Sequence, residues 1–125
     1  MKQPINTNHA PAPIGPYNQA IMAGNTLYVS GQIAIDPVTG NLLADEIDAE
    51  TVQVMKNIGA ILEEAGMTYE NIVKCSIFIK DMADFGQINE VYARYFHKEP
   101  PARETVAVAG LPKDVNVEIS CIAVK

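Results

Sequence analysis

Apolar and polar positions alternate with period two in several stretches of this chain and recur with helical spacing in two others. Ala20–Ala23 reads as a short strand. Gly24-Asn25 then supplies a tight turn, since both residues tolerate positive φ. Thr26–Ile35 follows as a longer strand. Leu27, Val29, Gly31, Ile33 and Ile35 share one face, and Tyr28, Ser30, Gln32 and Ala34 the other. Asp36-Pro37 and Gly40-Asn41 mark the loop that ends this hairpin. Val73–Lys80 alternates again, with Val73, Cys75, Ile77 and Ile79 in one phase. Arg103–Ala109 is predicted as a short strand. Gly110, Pro112 and Lys113-Asp114 then form a turn, and Val115–Val124 is the last strand. Its apolar phase is Val115, Val117, Ile119, Cys121 and Ala123.

The first helix is expected to begin near Asp48, a suitable N-cap with Glu50 in the first turn. Val54, Met55, Ile58, Ile61, Leu62 and Ala65 form its apolar stripe, and Gly66 suits the position just past its end. Asp81 or Asp84 caps a second helix, with Phe85, Ile88, Tyr92, Tyr95 and Phe96 along one side. Pro100-Pro101 stops it. Residues 1–16 hold Pro4, Pro11, Pro13 and Pro16 and read as an extended, irregular lead-in, with Ile5, Ile14 and Tyr17 available for packing.

The resulting order is β-β-α-β-α-β-β, which predicts an α+β fold: one sheet with both helices on one face. At 125 residues a single domain spanning 1–125 is expected. The other sheet face would carry Tyr28, Ser30, Gln32, Ser76, Phe78, Glu118, Ser120, Ile122 and Val124. That face is too apolar to be simply wet and too polar for a closed core. A covering subunit is the expected solution, and a half-exposed sheet the plain alternative.

Composition narrows the class. Apolar residues make up 48% and charged residues 19%, which argues for a globular chain over a disordered one. No run of apolar residues is long enough to span a membrane. The start, Met1-Lys2-Gln3-Pro4, does not resemble a secretory signal, so the cytoplasm is the expected compartment. The net charge of −6, with no cluster of Lys or Arg, disfavours nucleic acid and anionic membranes as partners. Cys75 and Cys121 are too few for a disulfide scaffold and fall in apolar phases, as buried small hydrophobes do.

Several familiar chemistries lack a motif. His9 and His97 are far apart, and no metal-ligand spacing, P-loop, dinucleotide fingerprint or Gly-x-Ser-x-Gly elbow occurs. An enzyme of this sequence is expected to work without metal or cofactor on something small and reactive. Arg103, just after Pro100-Pro101-Ala102, is a candidate for bidentate contact with a carboxylate; a structural ion pair is the alternative. The other arginine, Arg94, lies mid-helix among polar neighbours and reads as solvated. Glu118, on the mixed face, is either paired, exposed at an edge, or used to hold a water and move its proton. Tyr17 follows Gly15-Pro16. Gly31, after Ser30, permits close approach of a ligand or serves strand packing. Asn89 falls on the second helix, where a structural cap or surface amide is the plain reading.

Ala12-Pro13-Ile14-Gly15-Pro16-Tyr17, Val29-Ser30-Gly31-Gln32-Ile33 and Phe78-Ile79-Lys80-Asp81-Met82 resemble successive blocks of the RidA/YjgF family, the reactive intermediate deaminases. Pro101-Ala102-Arg103, Leu111-Pro112-Lys113-Asp114-Val115 and Val117-Glu118-Ile119 complete the resemblance, which spans essentially the whole chain. It implies a chorismate-mutase-like α+β fold, a homotrimer, and ligand sites between subunits. It also implies hydrolytic deamination of 2-aminoacrylate-type enamines and their imine tautomers, 2-iminopropanoate and 2-iminobutanoate, to 2-keto acids and ammonia. Carried over position by position, Arg103 binds the substrate carboxylate and Glu118 orients the attacking water. Tyr17, Ser30, Gly31 and Asn89 line the cleft, and Thr105 contributes its backbone amide. Glu104-Thr105 departs from the family's common Ser-Cys, and Ser120 replaces a frequent second glutamate. These departures bear on substrate preference more than on reaction class. The competing function is a binding or regulatory module of the same fold, which would need Arg103 but have little use for Glu118.

Overall fold

A computed structural model describes residues 1–125. Its strands are β1 (Lys2–Ile5), β2 (Ala20–Ala23), β3 (Thr26–Gln32), β4 (Ile72–Ile79), β5 (Ala102–Ala107) and β6 (Val117–Val124). Its helices are α1 (Ile47–Glu64) and α2 (Phe85–Ala93). The strands form one mixed sheet in the order β1-β2-β3-β6-β4-β5. Every pairing is antiparallel except β4 with β5, where α2 carries the chain across and lets the two strands run the same way.

β1 is the element that the prolines concealed. It sits at the sheet edge, where Pro4, lacking an N–H, opposes Ile21 without breaking an inner ladder. In the β2–β3 turn, Gly24 takes φ of 62° while Asn25 stays at negative φ. A glycine in the first central position is what a tight II′ hairpin requires.

α1 begins one residue before the expected cap. Glu46 holds the N-cap position in extended conformation with no side-chain capping bond, and Asp48 and Glu50 lie in the first turn. The end is as the sequence predicts, with Gly66 at φ of 72° beyond Ala65. Ahead of α2, the Asp81 carboxylate accepts the Ala83 N–H at 2.9 Å and caps a 3-10 turn over Met82–Asp84. α2 is shorter than expected and ends at Ala93, well before Pro100.

Both helices pack on one sheet face. Val54, Met55, Ile58, Ile61 and Leu62 of α1 and Ile88 and Tyr92 of α2 meet Leu27, Val29, Ile77, Ile79 and Ile119. Cys75 and Cys121 are free, buried and directly opposite each other on β4 and β6. Their apolar surroundings raise both thiol pKa values, chiefly by desolvation, so they act as small hydrophobes. No helix is long and apolar enough to cross a membrane.

Two bulges change the facing of residues that strict alternation assigned. Val29 opposes Cys121 and Gln32 opposes Ile119, so Ser30 and Gly31 together face the single residue Ser120. This extra residue turns Gln32 into the core, where it is 5% exposed, and turns Gly31 to the open face beside Glu118. β3 ends there, and Ile33 and Ala34 are buried outside the ladder. A second bulge at Val73 turns that side chain outward, and Ile72 takes its place in the core. Ile14 and Tyr17 are exposed on the chain surface, not packed, whereas Ile5 leans on the core.

Candidate functional site

The two charged residues of greatest interest stand on opposite faces of the sheet. On β5, Arg103 and Thr105 point under α2, while Ala102, Glu104 and Val106 point to the open face. On β6, Val117 and Ile119 are buried under the helices, so Glu118 between them points to the open face. One chain therefore does not bring Arg103 and Glu118 together.

Arg103 lies in a cavity with Asn89, Tyr92, Ala93, Phe96, Pro100 and Pro101. Its guanidinium carbon is 5.0 Å from the Tyr92 ring centroid and 5.7 Å from that of Phe85. No carboxylate pairs with it. The ion pairs of the chain are Lys74–Glu104, Lys80–Asp114 and Glu90–Arg94. The adjacent Glu104 is engaged on the open face by Lys74 and by the Ser76 hydroxyl, which together hold its carboxyl below the usual carboxylate range. Beneath the arginine, the Tyr92 hydroxyl is buried without a hydrogen-bond partner and lies against the Cys75 thiol. Burial pushes the Tyr92 pKa up, so the phenol is neutral at any working pH. The Thr105 hydroxyl is likewise buried and unpartnered.

The second cavity holds Glu118 with Tyr17, Gly31, Pro112 and the Pro11–Ile14 segment. Desolvation raises the Glu118 pKa, and its carboxylate has no hydrogen-bond partner in the chain. It lies across Gly31: a Cβ built there would sit 2.7 Å from the Glu118 carboxyl carbon and 3.0 Å from its Cγ. The close approach that Gly31 permits within one chain is thus by Glu118. Tyr17 folds back on its own loop, its hydroxyl accepting the Ile14 N–H at 3.2 Å. Ser30 stands just outside this cavity. Its hydroxyl donates to the Asn18 carbonyl at 2.7 Å and its N–H to the Gln19 carbonyl at 2.9 Å, tying β3 to the segment that carries Tyr17.

Four residues support these cavities in roles that the sequence did not signal. Gln19, 2% exposed, donates to the Thr7, Ala10 and Pro11 carbonyls and so fixes the lead-in that walls the Glu118 cavity. Glu50, read as a first-turn acid, is fully buried. Its carboxylate accepts the Asn116 backbone and side-chain N–H groups at 2.8 and 2.7 Å and the Val117 N–H at 3.3 Å. That anchors the backbone just ahead of Glu118. Phe85 and Tyr92 belong to a helical stripe that the spacing assigns to the core; their contact with Arg103 depends on how α2 lies on β5.

These features define a class: α+β proteins of one mixed sheet backed by two helices, with a cation cavity on the helix face and a carboxylate cavity on the open face. The family model described as Endoribonuclease L-PSP matches residues 7–125. A RutC family protein of Pyrococcus horikoshii is 53% identical over 125 residues, covering 100% of this chain and 99% of the relative. A 2-iminobutanoate/2-iminopropanoate deaminase of Mus musculus is 44% identical, covering 100% of this chain and 93% of the relative. The crystal structure of the YjgF gene product from E. coli superposes with a TM-score of 0.94 at 43% identity, covering 98% of each chain. The chain belongs to the RidA/YjgF family.

Proposed function

We propose that this protein hydrolyses 2-imino acids to 2-keto acids and ammonia, as a homotrimer in which Arg103 of one copy and Glu118 of its neighbour face a shared cleft. The observation that carries this is the opposite facing of an unpaired guanidinium and an unpartnered carboxylate in the same sheet. Each is half of a site, and a second copy laid on the open face supplies the other half. The mouse relative's name supports the reaction class.

The chemistry follows from the two groups. Arg103 holds the substrate carboxylate through its planar fork. Tyr17, Gly31 and Asn89 line the cleft, with Ser30 behind it and Thr105 beside Arg103. Glu118 accepts a proton from water as the water oxygen attacks C2 of the C=N group. A tetrahedral carbinolamine forms. Glu118 returns that proton to nitrogen, then takes the carbinolamine hydroxyl proton and delivers it to nitrogen as well, so that the C2–N bond breaks, ammonia leaves and the C2 carbonyl forms. Burial raises the Glu118 pKa toward the range where a carboxylate can both accept and return a proton. An enamine such as 2-aminoacrylate enters after tautomerising to its imine. The reaction belongs where dehydratases release such enamines, for which we propose the cytoplasm.

A threonine dehydratase reaction with semicarbazide present to trap the imine tests this. Added protein should lower the trapped imine and speed keto-acid formation; no change would overturn the activity. RNA incubated with gel-filtered protein should remain intact, in keeping with the net charge of −6.

A further inference from the structure

Arg103 is held in an unusual way for a half-buried cation: by rings, with no acid. Phe85 and Tyr92 are seven residues apart, two turns along the same side of α2, and both ring centroids lie within 6 Å of the guanidinium carbon. The adjacent acid, Glu104, is turned away to Lys74 and Ser76. The same crossover that carries α2 into β5 therefore sets both the rings and the arginine.

We propose that Phe85 and Tyr92 are positioning residues for Arg103, whose ring faces fix the guanidinium in place of an acidic partner and leave its N–H donors free for a carboxylate ligand. This rests on the carboxylate-binding role given to Arg103 above. An acid in the same place would hold the side chain equally still, but it would occupy the donors that the ligand needs, and every ligand would first have to displace it. A ring face attracts the cation through its quadrupole and takes up no N–H. The Tyr92 hydroxyl points past the arginine toward Cys75. The ring, not the phenol, is the part that acts.

The chain has only two arginines, Arg94 and Arg103, which makes arginine-selective 15N labelling a direct probe. In the intact wild-type protein the Arg103 Nε–H proton should resonate upfield of that of Arg94, shielded by the two rings. Phe85→Leu and Tyr92→Leu should move it toward the Arg94 position, and Tyr92→Phe should leave it in place. Calorimetry with 2-ketobutyrate should show dissociation constants raised about 3- to 30-fold in the two leucine variants and unchanged in Tyr92→Phe. In the dehydratase-coupled assay KM should rise while kcat stays within about twofold. Tyr92 is deeply buried, so if its leucine variant does not fold, Phe85→Leu, with a ring only half-buried, decides the matter. Folded leucine variants with wild-type affinity, or an Arg103 signal that no ring displaces, would overturn the proposal. A wild-type protein that binds no 2-ketobutyrate would instead overturn the carboxylate site, and the ring shift would then decide the clamp by itself.

Discussion

In the proposed reaction Arg103 and Glu118 take different halves, and their substitutions should fail differently. Hydrogen bonds to charged groups contribute about 1.5–3 kcal/mol each and need not add, so Arg103→Ala should cost about 2–5 kcal/mol of transition-state binding. That is roughly 30- to several-thousand-fold in kcat/KM. Arg103→Lys should recover part of this, because an ammonium lacks the planar fork. Isothermal titration with 2-ketobutyrate and the coupled assay measure both effects. Glu118→Gln should leave keto-acid binding in place while kcat falls about 10²–10⁴-fold. Unchanged turnover would reduce Glu118 to a structural role. Stability should move the opposite way. Burial raises the Glu118 pKa, so its charged form is penalised in the folded chain. Stability is therefore lost as pH rises from the unfolded carboxyl pKa, about 4.3, through the folded one, and remains lost above it. Glu118→Gln removes that penalty. In protein diluted to the single chain, where no neighbouring Arg103 faces the carboxylate, the variant's melting temperature should exceed that of the wild type at pH 7 and converge with it below about pH 4.

Among the elements, the β3 bulge decides the most. Gly31 has no positive φ, so its backbone would accept alanine; a methyl there would have to push aside the Glu118 carboxyl, the far end of a flexible side chain. Such a displacement costs less than core overpacking, about 1 kcal/mol at most. Gly31→Ala should lower the melting temperature, and adding Glu118→Ala should restore most of the loss. An equal loss in both backgrounds would place the strain in the bulge itself. At the junction of α1 and β6, Glu50→Gln would set an amide against the Asn116 and Val117 donors that the carboxylate now accepts. A shift in urea midpoint equivalent to about 1–3 kcal/mol is expected. Here sequence and structure part for a physical reason. Alternation tracks facing only while the ladder keeps register, and one inserted residue exchanged the faces of Gly31 and Gln32. Periodicity is equally silent on whether a first-turn glutamate caps its own helix or reaches the start of a strand 67 residues away.

For the proposed trimer, the open face is the decisive surface. Tyr28 is 50% exposed there, beside half-buried Phe78, Ile122 and Val124. Burying a side chain of that kind contributes roughly 1.5–3 kcal/mol, so a subunit laid on this face removes a substantial liability. Sedimentation equilibrium at micromolar concentration should report three times the 13.5 kDa chain mass. A monomer would remove the shared cleft with it. Much of this was determined by the sequence alone: the element order from β2 onward, the core stripe of α1 and the mixed face. Those properties follow from local period and residue chemistry, which need no knowledge of what packs where. Tertiary structure alone decided that the proline-marked lead-in adds an edge strand, that Arg103 rests on Phe85 and Tyr92, and that Arg103 and Glu118 diverge across one sheet. Each of these depends on register and on contacts between segments distant in the chain, which no local pattern of side chains encodes.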